Sequence, residues 1–259
     1  MDFSLSTDHE ILRESVRSFA EKEIKPVAGE LDEKEEFSYE TMQKMAELGL
    51  FGIFVSDKYG GQEMDYLSYI IAVEEIARVD GSHAANVAAE NSLGIGPLYY
   101  FGSEEQKKKY LPKLCSGEAL WGFGLTEPNA GSDSGNTQTN AVLDGNEWVI
   151  NGSKIFMTNA ATDITAGSTV LTRTGVRDDG KPELSCIIVE SGTPGFTAKE
   201  MHGKLMWRAS NTSELYFEDC RVPKENLLGP RGQGFHQMMK TLDGGRLSIG
   251  AMGLGGAQG

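Results

Sequence analysis

The spacing of apolar residues changes from a helical to an extended pattern near residue 120, and this change limits the folds that the chain can adopt. Before that point apolar residues recur every three or four positions, as Leu12, Val16 and Phe19 do, which is typical of amphipathic helices. After it, short apolar runs alternate with Gly, Asp and Pro clusters, which indicates strands. We therefore predict an α+β protein whose helices and strands lie in separate parts of the chain.

Local signals place the ends of several helices. Ser103 and Gln106 match a capping box, which predicts that a helix begins there. Gly49 follows a helical pattern over residues 39–48 and suits a left-handed C-cap. Pro26 is expected to end the first helix, because proline lacks the backbone N–H that a helix interior needs.

The β part is expected to hold at least six strands, the first over residues 121–126. Two more are predicted at residues 148–150 and 155–157. Asn151-Gly152 lies between them and is a hairpin signal, because both residues accept the positive φ angles of a type I′ turn. These two strands are therefore expected to pair with each other.

A helical pattern returns after Pro230 and continues to the end of the sequence. The predicted organisation is an all-α N-terminal domain over residues 1–119, a central β-barrel or β-sandwich domain over 120–230, and the start of a C-terminal helical bundle over 231–259. The last pattern has no clear stop signal before Gly259. We therefore expect the partner helices of this segment to lie outside the sequence.

Composition narrows the classes of function. The chain carries 24 Lys and Arg against 38 Asp and Glu, a formal net charge of −14, which argues against nucleic-acid binding through phosphates. No apolar run reaches the roughly 18 residues of a membrane span, and the first residues lack a secretion signal. We expect a cytoplasmic bacterial protein or a processed protein of the mitochondrial matrix. The three cysteines and four histidines lack disulfide or metal-ligand spacing, so no metal site is expected.

Two segments carry groups that could bind one flat ligand. Residues 123–133 run from a predicted strand into a turn rich in glycine and hydroxyl groups, which can donate several hydrogen bonds. In residues 148–159, Phe156 and Thr158 are expected on one strand face, where an aromatic ring could pack and be hydrogen-bonded at its edge. The ordinary alternatives stay open: a plain strand-to-loop corner, and a core aromatic beside a surface threonine.

In this order and spacing, the two segments resemble the acyl-CoA dehydrogenase family. The shared patterns are Thr-Glu-Pro-x-Ala-Gly-Ser-Asp and, about twenty residues later, Asn-Gly-x-Lys-x-aromatic-x-Thr-Asn. The resemblance covers nearly all of the chain, from Tyr-Gly-Gly at residues 59–61 to Asp-Gly-Gly-Arg at 243–246. The last of these looks more like short-chain and butyryl-CoA members than long-chain ones. Where many members have tryptophan, this chain has Phe156.

The resemblance implies FAD as the cofactor and assigns residues to it. Flavin contacts are implied for Phe123, Leu125, Thr126, Gly131, Ser132, Phe156, Met157 and Thr158. Acyl-CoA contacts are implied for Ser132, Asp243 and Arg246. Thr126 and Thr158 would hydrogen-bond near the pyrimidine edge and N5 of the flavin, and Phe156 would pack against its ring.

The resemblance also implies a reaction and partners. Family members remove an α proton from an acyl-CoA thioester while the β carbon passes a hydride to the flavin, which leaves a trans-2-enoyl-CoA. Hydrogen bonds to the thioester carbonyl stabilise the developing enolate, and a carboxylate acts as the base. The electrons pass to an electron-transferring flavoprotein in fatty acid β-oxidation, and the enzymes are commonly homotetramers. A short acyl chain is expected for the substrate.

No catalytic residue is expected within this chain. By resemblance, most members carry the basic glutamate in the C-terminal helical domain, which here would place it beyond Gly259. A minority carry it directly before the arginine that Arg246 matches, and that position is Gly245, which has no side chain. We therefore expect the chain to be incomplete as an enzyme.

Competing interpretations are a nicotinamide dehydrogenase, an oxidase of the same superfamily and a fragment without turnover. The first is excluded because the glycines of residues 253–257 do not follow a predicted strand or match Gly-x-Gly-x-x-Gly. An acyl-CoA oxidase-like or nitroalkane-oxidising flavoprotein, and a non-catalytic truncated fragment that binds FAD weakly, stay open. Oxygen reactivity and turnover would separate them.

Overall fold

The computed structural model describes residues 3–259. The α-helices are α1 (Thr7–Phe19), α2 (Lys25–Lys34), α3 (Tyr39–Glu47), α4 (Tyr66–Ala77), α5 (Gly81–Ala89), α6 (Gly96–Phe101), α7 (Glu104–Cys115) and α8 (Gly234–Gln258). The strands are β1 (Leu120–Gly124), β2 (Asn140–Asp144), β3 (Glu147–Thr158), β4 (Thr165–Val176), β5 (Pro182–Glu190), β6 (Phe196–Glu200), β7 (Thr212–Pro223) and β8 (Leu227–Leu228). The predicted order of helices, strands and a final helix is confirmed.

The predicted helix signals are confirmed at two ends and wrong at a third. Ser103 accepts from the backbone N–H of Gln106, whose side chain accepts from the Ser103 N–H, so the capping box forms. Gly49 adopts the left-handed conformation with φ of +78°. Pro26, however, does not end the helical run. It lies in the first turn of α2, where no intrahelical N–H donor is needed, after a π-helical turn over Ala20–Ile24.

The strands hydrogen-bond in the order β6-β7-β3-β2-β4-β5-β8, and β1 pairs with β4 in parallel. β2 and β4 share a single pair, Asn140 with Arg173, so the sheet is nearly divided at this point. Apolar side chains of both halves, among them Ile150 of β3 and Val189 of β5, form one core cluster. The β part therefore packs its two halves against each other in the manner of a sandwich.

The predicted hairpin at Asn151-Gly152 is wrong. Residues 147–158 form the single strand β3, which pairs with β7 along its length, and the hairpin turn that joins β2 to β3 lies at Gly145 instead. Gly152 sits at an irregularity of the β3–β7 ladder, with φ of +142°, where a Cβ would overlap Thr139. Its glycine is required by a close backbone approach and not by a turn.

A larger core cluster joins the three parts of the chain. It contains buried side chains of the helices, of strands β1, β4 and β5, and of α8, for example Leu98, Trp121, Ile188 and Met238. Because this cluster crosses residues 119 and 230, the division into domains at those two positions stays a prediction. Burying each large apolar side chain of this cluster stabilises the folded protein by about 1.5–3 kcal/mol.

A buried glutamate ties α1 to α4. The carboxylate of Glu75, which is 1% exposed, accepts from Arg17 at 2.8 and 2.9 Å. Arg13 and Arg78 lie within ion-pair distance of the same group. This carboxylate is thus fully neutralised by cations.

Over residues 3–259, the helices are all too short or too polar to cross a membrane. The same residues contain no cluster of His, Cys, Asp and Glu that could hold a metal ion.

Candidate active site

The two segments singled out from the sequence line one cavity of about 160 Å³. Phe123, Leu125 and Thr126 come from β1 and the residues that follow it, and the second segment contributes the C-terminal end of β3. A third wall is helical and consists of Ala89 at the end of α5, Leu93 in the turn after it and Leu242 on α8. The side chain of Trp121 on β1 completes the lining. The lining residues beyond the first three are Ala89, Leu93, Trp121, Phe156, Met157, Thr158 and Leu242.

Direct hydrogen bonds hold these two walls together. The backbone N–H of Ile155 donates to the carbonyl oxygen of Thr126 at 2.9 Å, although β1 and β3 are not neighbours in the sheet. Behind the cavity, the Lys154 ammonium donates to the Leu125 carbonyl at 3.1 Å and to the Glu127 carboxylate at 2.7 Å. The relative position of the two walls is therefore fixed within the protein itself.

The ion pair of Lys154 and Glu127 is buried. Glu127 also accepts from the backbone N–H groups of Gln138 at 2.7 Å and Thr139 at 3.0 Å. Burial lowers the pKa of Lys154 to about 8, against the attraction of Glu127. Burial alone would raise the pKa of Glu127, yet the Lys154 ammonium and the N–H donors hold that pKa below its usual value. Both groups are charged at neutral pH.

Phe156 lies at the cavity in an unusual backbone conformation. Its φ is +67°, a region that bulky side chains rarely adopt, and the β3–β7 register shifts between Lys154 and Met157. The ring is 59% exposed. The irregularity brings Phe156, Met157 and Thr158 to the same cavity, which simple alternation along a strand would not do.

Two residues predicted to contact the flavin lie elsewhere. Gly131 and Ser132 are exposed in the loop after β1 and do not line the cavity. A Cβ at Gly131 would meet no atom within 4 Å. Their proposed contacts would need a ligand that extends beyond the cavity.

A second cavity of about 270 Å³ adjoins the first. Ala89, Leu93, Thr158 and Leu242 line both cavities. The remaining lining residues are mostly small or apolar. Those from α5, the turn after it and α8 are Ala85, Ala88, Ser92, Gly245, Arg246, Ser248 and Ile249, and Trp207 comes from the loop between β6 and β7. The arrangement suits a flat ring in the first cavity and an aliphatic group in the second.

Comparisons with known proteins agree with this geometry. The family model "Acyl-CoA dehydrogenase, N-terminal domain" matches residues 6–118, and "Acyl-CoA dehydrogenase, middle domain" matches residues 122–220. The "Probable acyl-CoA dehydrogenase YngJ" of Bacillus subtilis is 50% identical over 100% of this chain and 67% of its own length. The "Acyl-CoA dehydrogenase, short-chain specific" of Clostridium acetobutylicum is 49% identical over 100% and 68%. The chain belongs to the acyl-CoA dehydrogenase family.

Solved structures match as well. A structure from work on the electron transferring flavoprotein of Acidaminococcus fermentans has a TM-score of 0.93 and 42% identity, and covers 98% of this chain and 66% of that chain. This acyl-CoA dehydrogenase family chain thus spans about two thirds of the length of the proteins it matches. Members of the family are FAD-binding flavoproteins and oxidoreductases that act on a CH–CH group.

Two of the three residues predicted to bind acyl-CoA, Asp243 and Arg246, lie on α8, whereas Ser132 lies in the loop after β1. Asp243 and Arg246 form an exposed ion pair of 2.9 Å. Arg246 lines the second cavity, whereas Asp243 lines a third cavity of about 360 Å³ with Tyr66 and Tyr100. Of the described residues that line the first two cavities, none is a Glu or Asp.

Sequence reasoning missed a buried acid beside the first cavity. Glu90 is 0% exposed and accepts from the Trp121 backbone N–H at 3.1 Å and from Asn159 Nδ2 at 3.3 Å. Burial raises its pKa to about 8, although both hydrogen bonds lower it. The available signal was a glutamate directly after residues 84–89, which are apolar apart from Asn86 and carry no charge.

Proposed function

We propose that this chain forms the FAD-binding and acyl-CoA-binding part of an enzyme that dehydrogenates a short-chain acyl-CoA to a trans-2-enoyl-CoA. The supporting observation is that residues 123–126 and 156–158, far apart in sequence, line one cavity. Thr126 and Thr158 are half-buried there, and their hydroxyl groups have no hydrogen-bond partner among residues 3–259. Free hydroxyl groups on two walls, beside the exposed Phe156 ring, fit a flat heterocycle with polar edges.

The residues of this chain would bind and orient the cofactor. We assign flavin contacts to Phe123, Leu125, Thr126, Phe156, Met157 and Thr158, and contacts beyond the cavity to Gly131 and Ser132. A flavin bound there would supply a hydride acceptor for the β carbon of the substrate. The apolar side chains Leu125 and Met157 would exclude water from this cavity, and the buried ion pair behind them would keep it rigid.

Acyl-CoA would enter along α8. Arg246 is exposed at the second cavity and offers a cation to the CoA moiety, while the small side chains Ala85, Ala88 and Ala89 leave space for an acyl group. Asp243 and Ser132 stay proposed substrate contacts. The short chain length rests on the similarity to the "short-chain specific" relative of Clostridium acetobutylicum.

The base and the electron acceptor are proposed to come from outside the chain. The described lining residues of both cavities include no carboxylate, so removal of the α proton needs a group from elsewhere. An electron-transferring flavoprotein is the proposed acceptor, in line with the similar structure from Acidaminococcus fermentans. A homotetramer and a bacterial cytoplasmic location are the accompanying proposals.

Flavin binding tests the cavity assignment. We expect Thr126→Val and Thr158→Val each to weaken FAD binding roughly two- to tenfold, because each removes one hydrogen bond of about 1 kcal/mol. Thr197→Val, on the exposed face of β6, is the matched control and should leave the dissociation constant unchanged. Equal affinities for all three variants would contradict the assignment.

Reduction of the bound flavin tests the reaction class. The carboxylate can be supplied by a longer form of the protein or by a separate segment added to this chain. When butyryl-CoA is then added, the flavin absorbance should bleach and should recover slowly in oxygen. Rapid recovery with peroxide release would favour an acyl-CoA oxidase-like enzyme. Bleaching by these 259 residues alone would contradict the proposal that the base lies outside them, and FAD binding without bleaching in any longer form would favour a non-catalytic protein.

A further inference from the structure

Glu90 stands out among the buried groups that the proposed function does not use. It follows α5 directly and begins a π-helical turn over Glu90–Ile95, a rare element that is often found at functional sites. Its neighbour Ala89 and, one turn on, Leu93 line the first cavity. The side chain points away from the cavity into the protein, where it is completely buried.

One carboxylate oxygen of Glu90, which belongs to the helical wall, accepts hydrogen bonds from the other two walls of the cavity. Its Oε2 accepts from the backbone N–H of Trp121, which lies on β1, and from Asn159 Nδ2, which directly follows Thr158. Asn159 itself is held in the left-handed region at φ of +59°. The helical wall, the β1 wall and the β3 wall are therefore joined at a single atom.

The surroundings of Glu90 do not suit a charge. Both of its hydrogen-bond donors are neutral, and within residues 3–259 it takes part in no ion pair. Its second oxygen, Oε1, is buried and has no hydrogen-bond partner. An ionised carboxylate here would place negative charge on a buried oxygen that no donor reaches, which strongly disfavours the charged form.

Glu75 shows what this protein does with a buried carboxylate that is charged. It is as deeply buried as Glu90, but arginines surround it. Cys115 on α7 is a titratable neighbour of Glu90, and burial raises the pKa of its thiol to about 12. A cysteine side chain is either neutral or negatively charged, so Cys115 cannot compensate a negative charge on Glu90.

We propose that Glu90 is a positioning residue of the flavin cavity, a protonated and neutral carboxyl at physiological pH that joins the three cavity walls. This inference rests on the proposed flavin site. The residue does not touch the cavity itself, so it acts through Trp121 and Asn159. Burial, which raises its pKa to about 8, keeps the proton in place.

The test compares Glu90→Gln, Glu90→Leu and Glu75→Gln in the FAD-loaded protein. Glutamine keeps an accepting oxygen and the neutral state, so we expect Glu90→Gln to bind FAD within about twofold of the parent, with an unchanged flavin spectrum. Leucine leaves the Trp121 N–H unpaired and removes one of the two acceptors of the Asn159 amide, which keeps only the Asn86 carbonyl, so Glu90→Leu should bind FAD at least about tenfold more weakly. Glu75→Gln lowers stability but should leave the flavin spectrum unchanged.

A second readout does not depend on flavin. The pKa of Glu90 rises from 4.5 in the unfolded chain to about 8 in the folded chain. At pH values between these two, folding therefore takes up a proton. The parent should lose stability as pH rises from about 5 to 8, and Glu90→Gln should show less of this loss. An infrared band of a protonated carboxyl, present at pH 6.5 and absent from Glu90→Gln, would support the same state.

Each outcome decides the inference. A pH dependence of Glu90→Gln identical to that of the parent, with no missing carboxyl band, would overturn the neutral state. A Glu90→Leu variant that folds and binds FAD with the parent's affinity would overturn the positioning role. If the parent binds no FAD at all, the proposed flavin site fails, and the pH and infrared measurements still decide whether Glu90 is protonated.

Discussion

The Lys154 ammonium and the Glu127 carboxylate lie 2.7 Å apart, and their side chains are 0% and 5% exposed. The pair spans from β3 to the residue after Thr126, so it crosses directly behind the candidate flavin cavity. Because Glu127 also accepts two backbone N–H groups, removing either partner leaves several groups unsatisfied at once. At the scale of single residues this pair should outweigh any surface ion pair of the chain.

We predict that Lys154→Met lowers the free energy of unfolding by roughly 3–5 kcal/mol, because it leaves the Glu127 carboxylate buried and unpaired. Urea denaturation monitored by circular dichroism measures this value. The control is Lys109→Met, which removes an ion pair of 2.7 Å to Glu190 whose side chains are 57% and 40% exposed. That change should cost less than about 1 kcal/mol. Similar losses of unfolding free energy in both variants would show that burial does not make the Lys154–Glu127 pair more important for stability than an exposed pair.

Strand β3 shows where an element could be predicted from the sequence and where it could not. The residues that line the cavity from β3 were predicted, because their motif is specific. The hairpin at Asn151-Gly152 was wrong, because the same dipeptide also permits the close approach of Gly152 to Thr139, which involves residues distant in sequence. The helix end predicted at Pro26 was also wrong. A π-helical turn precedes this residue, and Pro26 lies in the first turn of α2, so the helical run continues through it. Glu90 was missed because only tertiary packing buries it.

The irregularity of β3 at Phe156 leads to a prediction about strain and binding. Phe156→Gly should raise the stability of the flavin-free protein by about 1 kcal/mol, because glycine adopts φ of +67° without steric cost. It should also weaken FAD binding, since the exposed ring is lost. Thermal unfolding without flavin and a flavin titration measure the two effects.

The matched control for Phe156→Gly is Glu63→Gly. Glu63 has φ of +53° and is exposed, but it lies in the loop before α4 and lines neither cavity. The Glu63→Gly variant should be stabilised by a similar free energy and should bind FAD with the affinity of the parent. Weaker binding in both variants, or in neither, would argue against a flavin contact by the Phe156 ring.

At the scale of the whole molecule, the last helix is part of the main core and not an appendage. α8 packs closely on α4, where a Cβ at Gly255 would overlap the carbonyl oxygen of Glu74. Met238 and Met252 of α8 belong to the cluster that contains Trp121 of β1 and Leu98 of α6. The helical and β parts therefore share apolar contacts that should make them unfold together.

Truncating one side chain of α8 tests this cooperativity. Met238, 1% exposed, lies in the shared cluster, and we predict that Met238→Ala lowers the free energy of unfolding by about 2–5 kcal/mol. Far-ultraviolet circular dichroism reports the helices, and tryptophan fluorescence reports Trp121, Trp148 and Trp207, which all lie within residues 120–230. Both transitions should shift to the same lower denaturant concentration, whereas Met206→Ala, at a side chain that is 59% exposed, should shift neither appreciably. If the dichroism transition moved alone, α8 would unfold independently and the shared core would not couple the parts.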